Sequence, residues 1–184
     1  GIVKLFWSWQ SDNDEKSGRY FVRDVLNDLV KELNDLDEME EFERGDDVLP
    51  PLEVDHDTKG VAGTPPIADT ILEKIREAAV FIADVTPVGE THGKAKKLAN
   101  PNVMIELGYA LKALGYRRIV LVANEWGNAA IDGIFNAIPF DLVHLRRPII
   151  YHLAAGADKD TRNAAAKLLK SRLKGAVALS VKQA

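Results

Sequence analysis

Asn100-Pro101-Asn102-Val103-Met104-Ile105-Glu106-Leu107-Gly108-Tyr109-Ala110 follows an apolar run, residues 79–85, in which Asp84 stands near the end. The run reads as a buried strand. The quoted stretch reads as the opening of a helix over 102–114, with Gly115 as its C-cap. A parallel strand, a loop, then a helix with a lone acid near its start is how open α/β sheets build small-molecule sites. A glutamate is rarely fully buried without a partner. Glu106, set among Val103, Met104, Ile105 and Leu107, therefore needs an explanation. An ion pair with a nearby Lys or Arg is one, and a functional carboxylate is the other.

Outward from this unit the same alternation repeats. Residues 3–9 form a β-rich apolar run and read as a first strand. Phe21, Val22, Val25, Leu26, Leu29, Val30 and Leu33 recur at helical spacing, and that helix fades into an acidic stretch. Pro50 and Pro51 stop any helix, and 52–54 is a short second strand. Residues 58–66 carry Gly60, Gly63, Pro65 and Pro66 and read as a flexible loop, with Thr64 able to cap the next helix. Ile67, Ile71, Leu72 and Ile75 mark one face of that helix, and 80–85 is the third strand.

Residues 87–100 read as a polar loop holding Lys94, Lys96 and Lys97. Residues 118–123 are nearly all apolar, as a central parallel strand is. A short helix is expected over 129–137, a fifth strand over 140–145 and a final helix over 158–180. Strand and helix alternate about five times, so the expected architecture is α/β. It is a flavodoxin-like, doubly wound parallel sheet of five strands in three layers, as one domain over 1–184.

Composition narrows the function classes. The chain has 184 residues, 46% hydrophobic and 28% charged, which fits a folded domain and not a disordered one. No apolar run reaches membrane-spanning length and the start does not resemble a signal peptide, so a cytoplasmic protein with no membrane partner is expected. Cysteine is absent, which removes disulfides, thiolate chemistry and Cys-based metal sites. A net charge of −4 gives no reason to expect direct nucleic-acid binding. The chain opens on Gly1, not Met, which suggests a piece of a longer protein with flanking domains.

Charge is uneven. Residues 24–47 hold eleven acids against two bases, and from Arg146 onward nine bases face two acids. Solvated helix faces account for this simply. Head-to-tail contact between copies, acidic face to basic face, is the sharper alternative.

In a sheet ordered 2-1-3-4-5 the crevice opens at the C-terminal ends of the first and third strands. Those ends carry Ser8, Trp9 and Gln10, and Asp84 and Thr86. Ordinary loop polarity also explains Ser8 and Gln10, and a structural cap also explains Asp84. Trp7 reads as core, whereas Trp9 at the strand end is placed to stack on a base or a nicotinamide ring. No phosphate loop, G-x-G-x-x-G fingerprint, zinc-type histidine pair or nucleophile elbow is present.

The ordered set formed by residues 6–12, 57–65, 81–86 and 100–110 resembles bacterial TIR-like domains of antiphage defence proteins, over roughly residues 3–145. The Asn-Pro-Asn-Val-x-x-Glu-Leu-Gly-Tyr-Ala segment is its most specific part. The resemblance implies an NAD+ glycohydrolase that cleaves the nicotinamide–ribose bond, with NAD+ as substrate and neither cofactor nor metal. It implies Glu106 as the required carboxylate; Ser8, Trp9, Gln10, Asp84, Thr86 and Tyr109 are the expected substrate-binding residues around it. The loop at 55–66, with Lys59, Gly60 and Gly63, corresponds to a loop that rearranges during assembly.

Self-association into an oligomer or filament is expected to switch the enzyme on. A sensor domain or partner recognising a nucleotide signal would lie outside this chain. The same Glu-Leu-Gly-Tyr-Ala segment resembles nucleoside deoxyribosyltransferases, in which the glutamate is a nucleophile on the sugar. Nucleoside or nucleotide N-glycosyl transfer is therefore an alternative, and a non-catalytic assembly module is another. The oxocarbenium-like transition state common to both enzyme readings is stabilised by a nearby carboxylate.

Overall fold

Alternation along the strands explains why the sheet is covered on both sides. In β1 (Val3–Ser8), Leu5 and Trp7 face one helical layer and Phe6 and Ser8 the other, and all four are buried. The strands β3 (Val80–Asp84) and β6 (Ile119–Asn124) are buried at every position, as continuous apolar runs of a parallel sheet are. With β2 (Leu52–His56) and β7 (Ile149–Tyr151) they form a five-stranded parallel sheet in the order β2-β1-β3-β6-β7. Counted along the chain, the order is that of the flavodoxin-like fold. The computed structural model describes residues 1–44, 51–56, 67–94, 96–127 and 147–184.

The helices α1 (Arg19–Arg44) and α4 (Lys159–Val181) cover one face of the sheet. From α1 come Phe21, Val22, Val25, Leu26 and Leu29, and from α4 come Leu169, Leu173 and Val177. The helices α2 (Ile67–Glu77) and α3 (Pro101–Leu114) cover the other face, with Ile75, Val103, Leu107 and Ala110 packed on Phe6, Phe81 and Leu121. The stacked rings of Phe6 and Phe81 lie at the centre of that layer, 5.8 Å apart. Among the described residues no helix is long and apolar enough to cross a membrane.

Three differences from the sequence expectation are informative. The fifth place in the sheet is taken by β7, Ile149–Tyr151, whereas the expected strand at 140–145 lies outside the described residues, as does the short helix at 129–137. The polar connection after β3 contains a small antiparallel hairpin, β4 (Gly89–Glu90) with β5 (Lys97–Leu98), closed by a Lys97–Glu90 ion pair. The helix α1 continues through the acidic stretch to Arg44.

The opposed charges of α1 and α4 meet within one chain. Lys170 lies 2.9 Å from Asp28 and 3.8 Å from Glu32, and Lys174 lies 3.4 Å from Glu32. These four charges are thus neutralised inside the domain, and a head-to-tail contact would have to draw on others.

Candidate functional site

At the C-terminal edge of the sheet the polar side chains fall into two groupings, one on each face. The first joins β1 to α3. Ser8, 1% exposed at the end of β1, donates its hydroxyl to Glu106 Oε1 at 2.9 Å. Helical spacing sets the carboxylate's place. Val103, Leu107 and Ala110 form the buried stripe of α3, Ile105 is 67% exposed, and Glu106 lies half-buried on the border between them. The glutamate is therefore not enclosed by its apolar neighbours, as the sequence had suggested. It stands at the edge of the core, held by a buried hydroxyl.

The start of α3 is fixed by Asn100. Its Oδ1 accepts from the backbone N–H groups of Asn102 and Val103 at 2.8 and 3.1 Å, and Pro101 occupies the first helical turn. Its Nδ2 donates to Asp12 Oδ2 at 2.7 Å. The loop between β1 and α1 is thereby tied to the helix that carries Glu106.

The second grouping lies on the α1/α4 face. Asp84 is 2% exposed, and its register partner Val122 belongs to the core on that face. Its Oδ2 accepts from Gln10 Nε2 at 3.1 Å and its Oδ1 from the Thr86 backbone N–H at 2.9 Å. Burial pushes the Asp84 carboxyl above the usual carboxylate range, and the hydrogen bonds from Thr86 and Gln10 oppose that shift. The network continues sideways. Thr86 Oγ1 accepts from the Asn124 N–H at 2.9 Å, and the Asn124 amide bonds both the N–H and the C=O of Leu153.

Tyr151 donates its hydroxyl to the Ser17 carbonyl at 2.9 Å, and burial raises its phenol well above its ordinary value. These residues wall a cavity of about 230 Å³ between the strand ends and the turn that enters α1. Asp14 and Ser17 lie in that turn and bond each other at 2.8 Å. Trp126, 43% exposed, also lines it.

The residues singled out in the sequence are thus distributed unevenly. Ser8 meets Glu106, and Gln10, Asp84 and Thr86 meet one another. Trp9 belongs to neither pair, because strand alternation turns it towards α1, where the Arg19 guanidinium lies 3.5 Å from its ring centroid. Tyr109, one turn beyond Glu106, packs on the apolar layer between α2, α3 and the sheet. Lys59, Gly60 and Gly63 lie outside the described residues.

Asn124 and Tyr151 are not among the candidates that the sequence pattern marks. Asn124 ends β6 and was open to the same strand-end rule that picked out Asp84. Tyr151 ends β7, which lies outside the strand expected at 140–145. Among the described residues no group of three or more His, Asp or Glu could hold a metal ion.

A family model described as CAP12/Pycsar effector protein, TIR domain, matches residues 32–136, more than half of the chain. The matched region includes Asp84 and Glu106 and begins after Ser8 and Gln10. No curated protein matches the chain in sequence. Among solved structures, the chain is similar to the RPS4 and RRS1 TIR domain heterodimer, with 11% identity and a TM-score of 0.46 over 99% of both chains. It is similar to FerB, a flavoenzyme NAD(P)H:(acceptor) oxidoreductase from Paracoccus denitrificans, with 12% identity, a TM-score of 0.44, and 99% and 98% of the two chains covered. A flavodoxin-like domain from Synechococcus sp gives 10% identity and a TM-score of 0.39 over 95% and 96% of the two chains.

Proposed function

The chain belongs to the TIR-domain family of CAP12/Pycsar effector proteins, and from that membership we propose that it is an NAD+ glycohydrolase with Glu106 as its catalytic carboxylate. The observation that carries the reading is the bond between Ser8 and Glu106. A carboxylate at the C-terminal edge of a doubly wound sheet accepts a hydrogen bond from a buried hydroxyl, 2.9 Å away.

The chemistry asks for little else. The C–N bond between ribose and nicotinamide breaks with its electron pair going to the ring nitrogen, so the leaving group departs neutral and needs no proton. The positive charge left on the ribose is an oxocarbenium ion, which an adjacent carboxylate stabilises electrostatically. Water adds at that carbon and releases one proton, giving ADP-ribose. NAD+ is the substrate, and no cofactor or metal takes part.

In this reading the chain is an effector of bacterial antiphage defence, acting in the cytoplasm. It is switched on by self-association under a sensor domain or partner that recognises a nucleotide signal. The test is incubation of the protein with NAD+, and in parallel with deoxynucleosides, with released base measured by chromatography. Nicotinamide release by the wild type and its loss in Glu106→Gln support the reading. Base release from deoxynucleosides alone would replace it with N-glycosyl transfer.

A further inference from the structure

We propose that Asn100 is a positioning residue for Glu106, acting through a single amide that fixes the first turn of α3 and ties it to the β1–α1 loop. The proposal rests on the reading of Glu106 as the catalytic carboxylate.

The hydrogen bonds at the sheet edge, together with the backbone between them, close a ring, from which the bond of Gln10 to Asp84 branches. Asn100 donates to Asp12 at 2.7 Å. The Asp12 backbone N–H donates to Gln10 Oε1 at 2.7 Å, and Gln10 Nε2 donates to the buried Asp84 at 3.1 Å. Two residues before Gln10, Ser8 holds Glu106. From Glu106 the helix leads back to Asn100. Among the described residues the carboxylate is held directly by Ser8 and through the helix by Asn100.

A cap alone does not require asparagine here, because Asp, Ser and Thr bond the first N–H groups of a helix as well or nearly as well. The second bond favours it. An amide accepts at one atom and donates at the other, whereas Asp has no donor and a Ser or Thr hydroxyl must do both through one oxygen on a shorter side chain. The amide's orientation follows from the chemistry, since the reverse placement would set its NH₂ against two backbone N–H groups and its oxygen against the Asp12 carboxylate. Glu106 lies six residues beyond Asn100, about 9 Å along the helix axis. A tilt of the first turn is thus carried to the reacting group, where a displacement of about 1 Å can cost about 10²-fold in rate.

Asn100→Asp separates the two duties. Aspartate caps as well as asparagine, and its charge suits a helix N-terminus. It replaces the donor to Asp12 with a second carboxylate. The reciprocal change, Asp12→Asn in the same chain, rebuilds the pair with donor and acceptor exchanged. The expected result is a fall in kcat of roughly 10- to 100-fold for Asn100→Asp, with KM little changed and most of the loss recovered in the double variant.

The melting temperature of Asn100→Asp should stay near that of the wild type. Amide exchange at Asp12 and Asn13 should accelerate in the single variant and return in the double. The Ser8 and Glu106 amide resonances should shift and return with it. Wild-type kcat and exchange in Asn100→Asp, or a double variant no better than the single, would overturn the proposal. If the wild type releases no base from NAD+, the failure belongs to the function reading. The exchange and resonance data then decide the tie alone, with unchanged spectra in Asn100→Asp overturning it.

Discussion

Gln10→Met tests whether the buried network is held together by the ionised form of Asp84. Methionine keeps the length of the side chain and removes both polar ends. Three bonds disappear: Nε2 to Asp84 at 3.1 Å, and Oε1 from the N–H groups of Asp12 and Asn13 at 2.7 and 3.3 Å. Gln10 is 5% exposed and Asp84 2%, so water does not readily replace the first bond. A hydrogen bond to a buried charged group contributes about 1.5–3 kcal/mol, and an ordinary one about 0.5–1.5 kcal/mol. The two loop N–H groups are only partly buried and recover some of their loss from water. The expected destabilisation is about 3 kcal/mol, a drop in melting temperature of roughly 6–12 °C for a chain of this length.

The pH dependence gives the sharper test. Burial raises the folded carboxyl of Asp84 above its ordinary value, and the Gln10 donor works against that rise. A raised carboxyl binds its proton more tightly in the folded than in the unfolded protein. It therefore diminishes stability at pH values above its folded pKa, and protonation on acidification relieves the penalty. Without the Gln10 donor the folded value rises further. The stability gap between wild type and variant should be widest near neutral pH and should narrow as pH falls through the folded value towards the ordinary carboxylate range. Urea unfolding of both proteins across a pH series measures it. A gap that is constant with pH, or below about 0.5 kcal/mol at neutrality, the scale of an unremarkable surface change, would refute the reasoning.

Other perturbations separate catalysis from folding. Glu106→Gln should lower nicotinamide release by about 10²-fold or more while leaving the urea midpoint in place, as expected for removing one preorganised charge. Retained activity would remove Glu106 from the mechanism. Ser8→Ala should lower kcat about tenfold, the effect of about 1.4 kcal/mol in orientation, and steady-state kinetics showing only a KM change would assign the hydroxyl to binding. Gly18→Ala should destabilise by about 1–3 kcal/mol, because a Cβ there would stand 2.8 Å from the Asp14 backbone carbonyl, which cannot swing aside. Calorimetry reads that directly, and an unchanged melting temperature would mean that the turn entering α1 is not closely packed.

The parts of the fold that could be read from the sequence share a physical cause. Residues 80–83 and 119–123 are apolar without interruption because each run lies between two strands and under helices on both faces. The edge strand lacked that signature. Ile149–Tyr151 is only three residues long and follows Pro148, a residue tolerated at the start of an edge strand but usually a mark against one. The run at 140–145, outside the described residues, offers a longer apolar pattern. The hairpin β4–β5 pairs two residues with two, all exposed or partly exposed, and periodicity has no purchase on so short an element. The Asn100–Asp12 bond spans 88 positions, and only the folded chain brings its two ends together.

Strand alternation explains how the candidate site divides, and it was available before the fold was known. Ser8 and Trp9 are consecutive, so one must face α3 if the other faces α1. Ala83 and Asp84 divide in the same way, with Ala83 beside Ser8 in the register and Asp84 beside Val122 on the opposite face. Glu106 therefore lies on the face of Ser8 and Ala83, whereas Asp84 belongs with Tyr151 and the cavity walls on the other side. Gln10 lies two residues beyond the last residue of β1, and the alternation that still extends to Trp9 does not hold for it, since it bonds Asp84 on the face opposite Ser8. It bonds Asp84 with one end of its amide and the Asp12 N–H with the other, and Asp12 in turn accepts from Asn100. The bonds from Gln10 thus join the two groupings. If Asp84 bears on the reaction at Glu106, its influence travels along those bonds, and Gln10→Met should then lower kcat as well as stability.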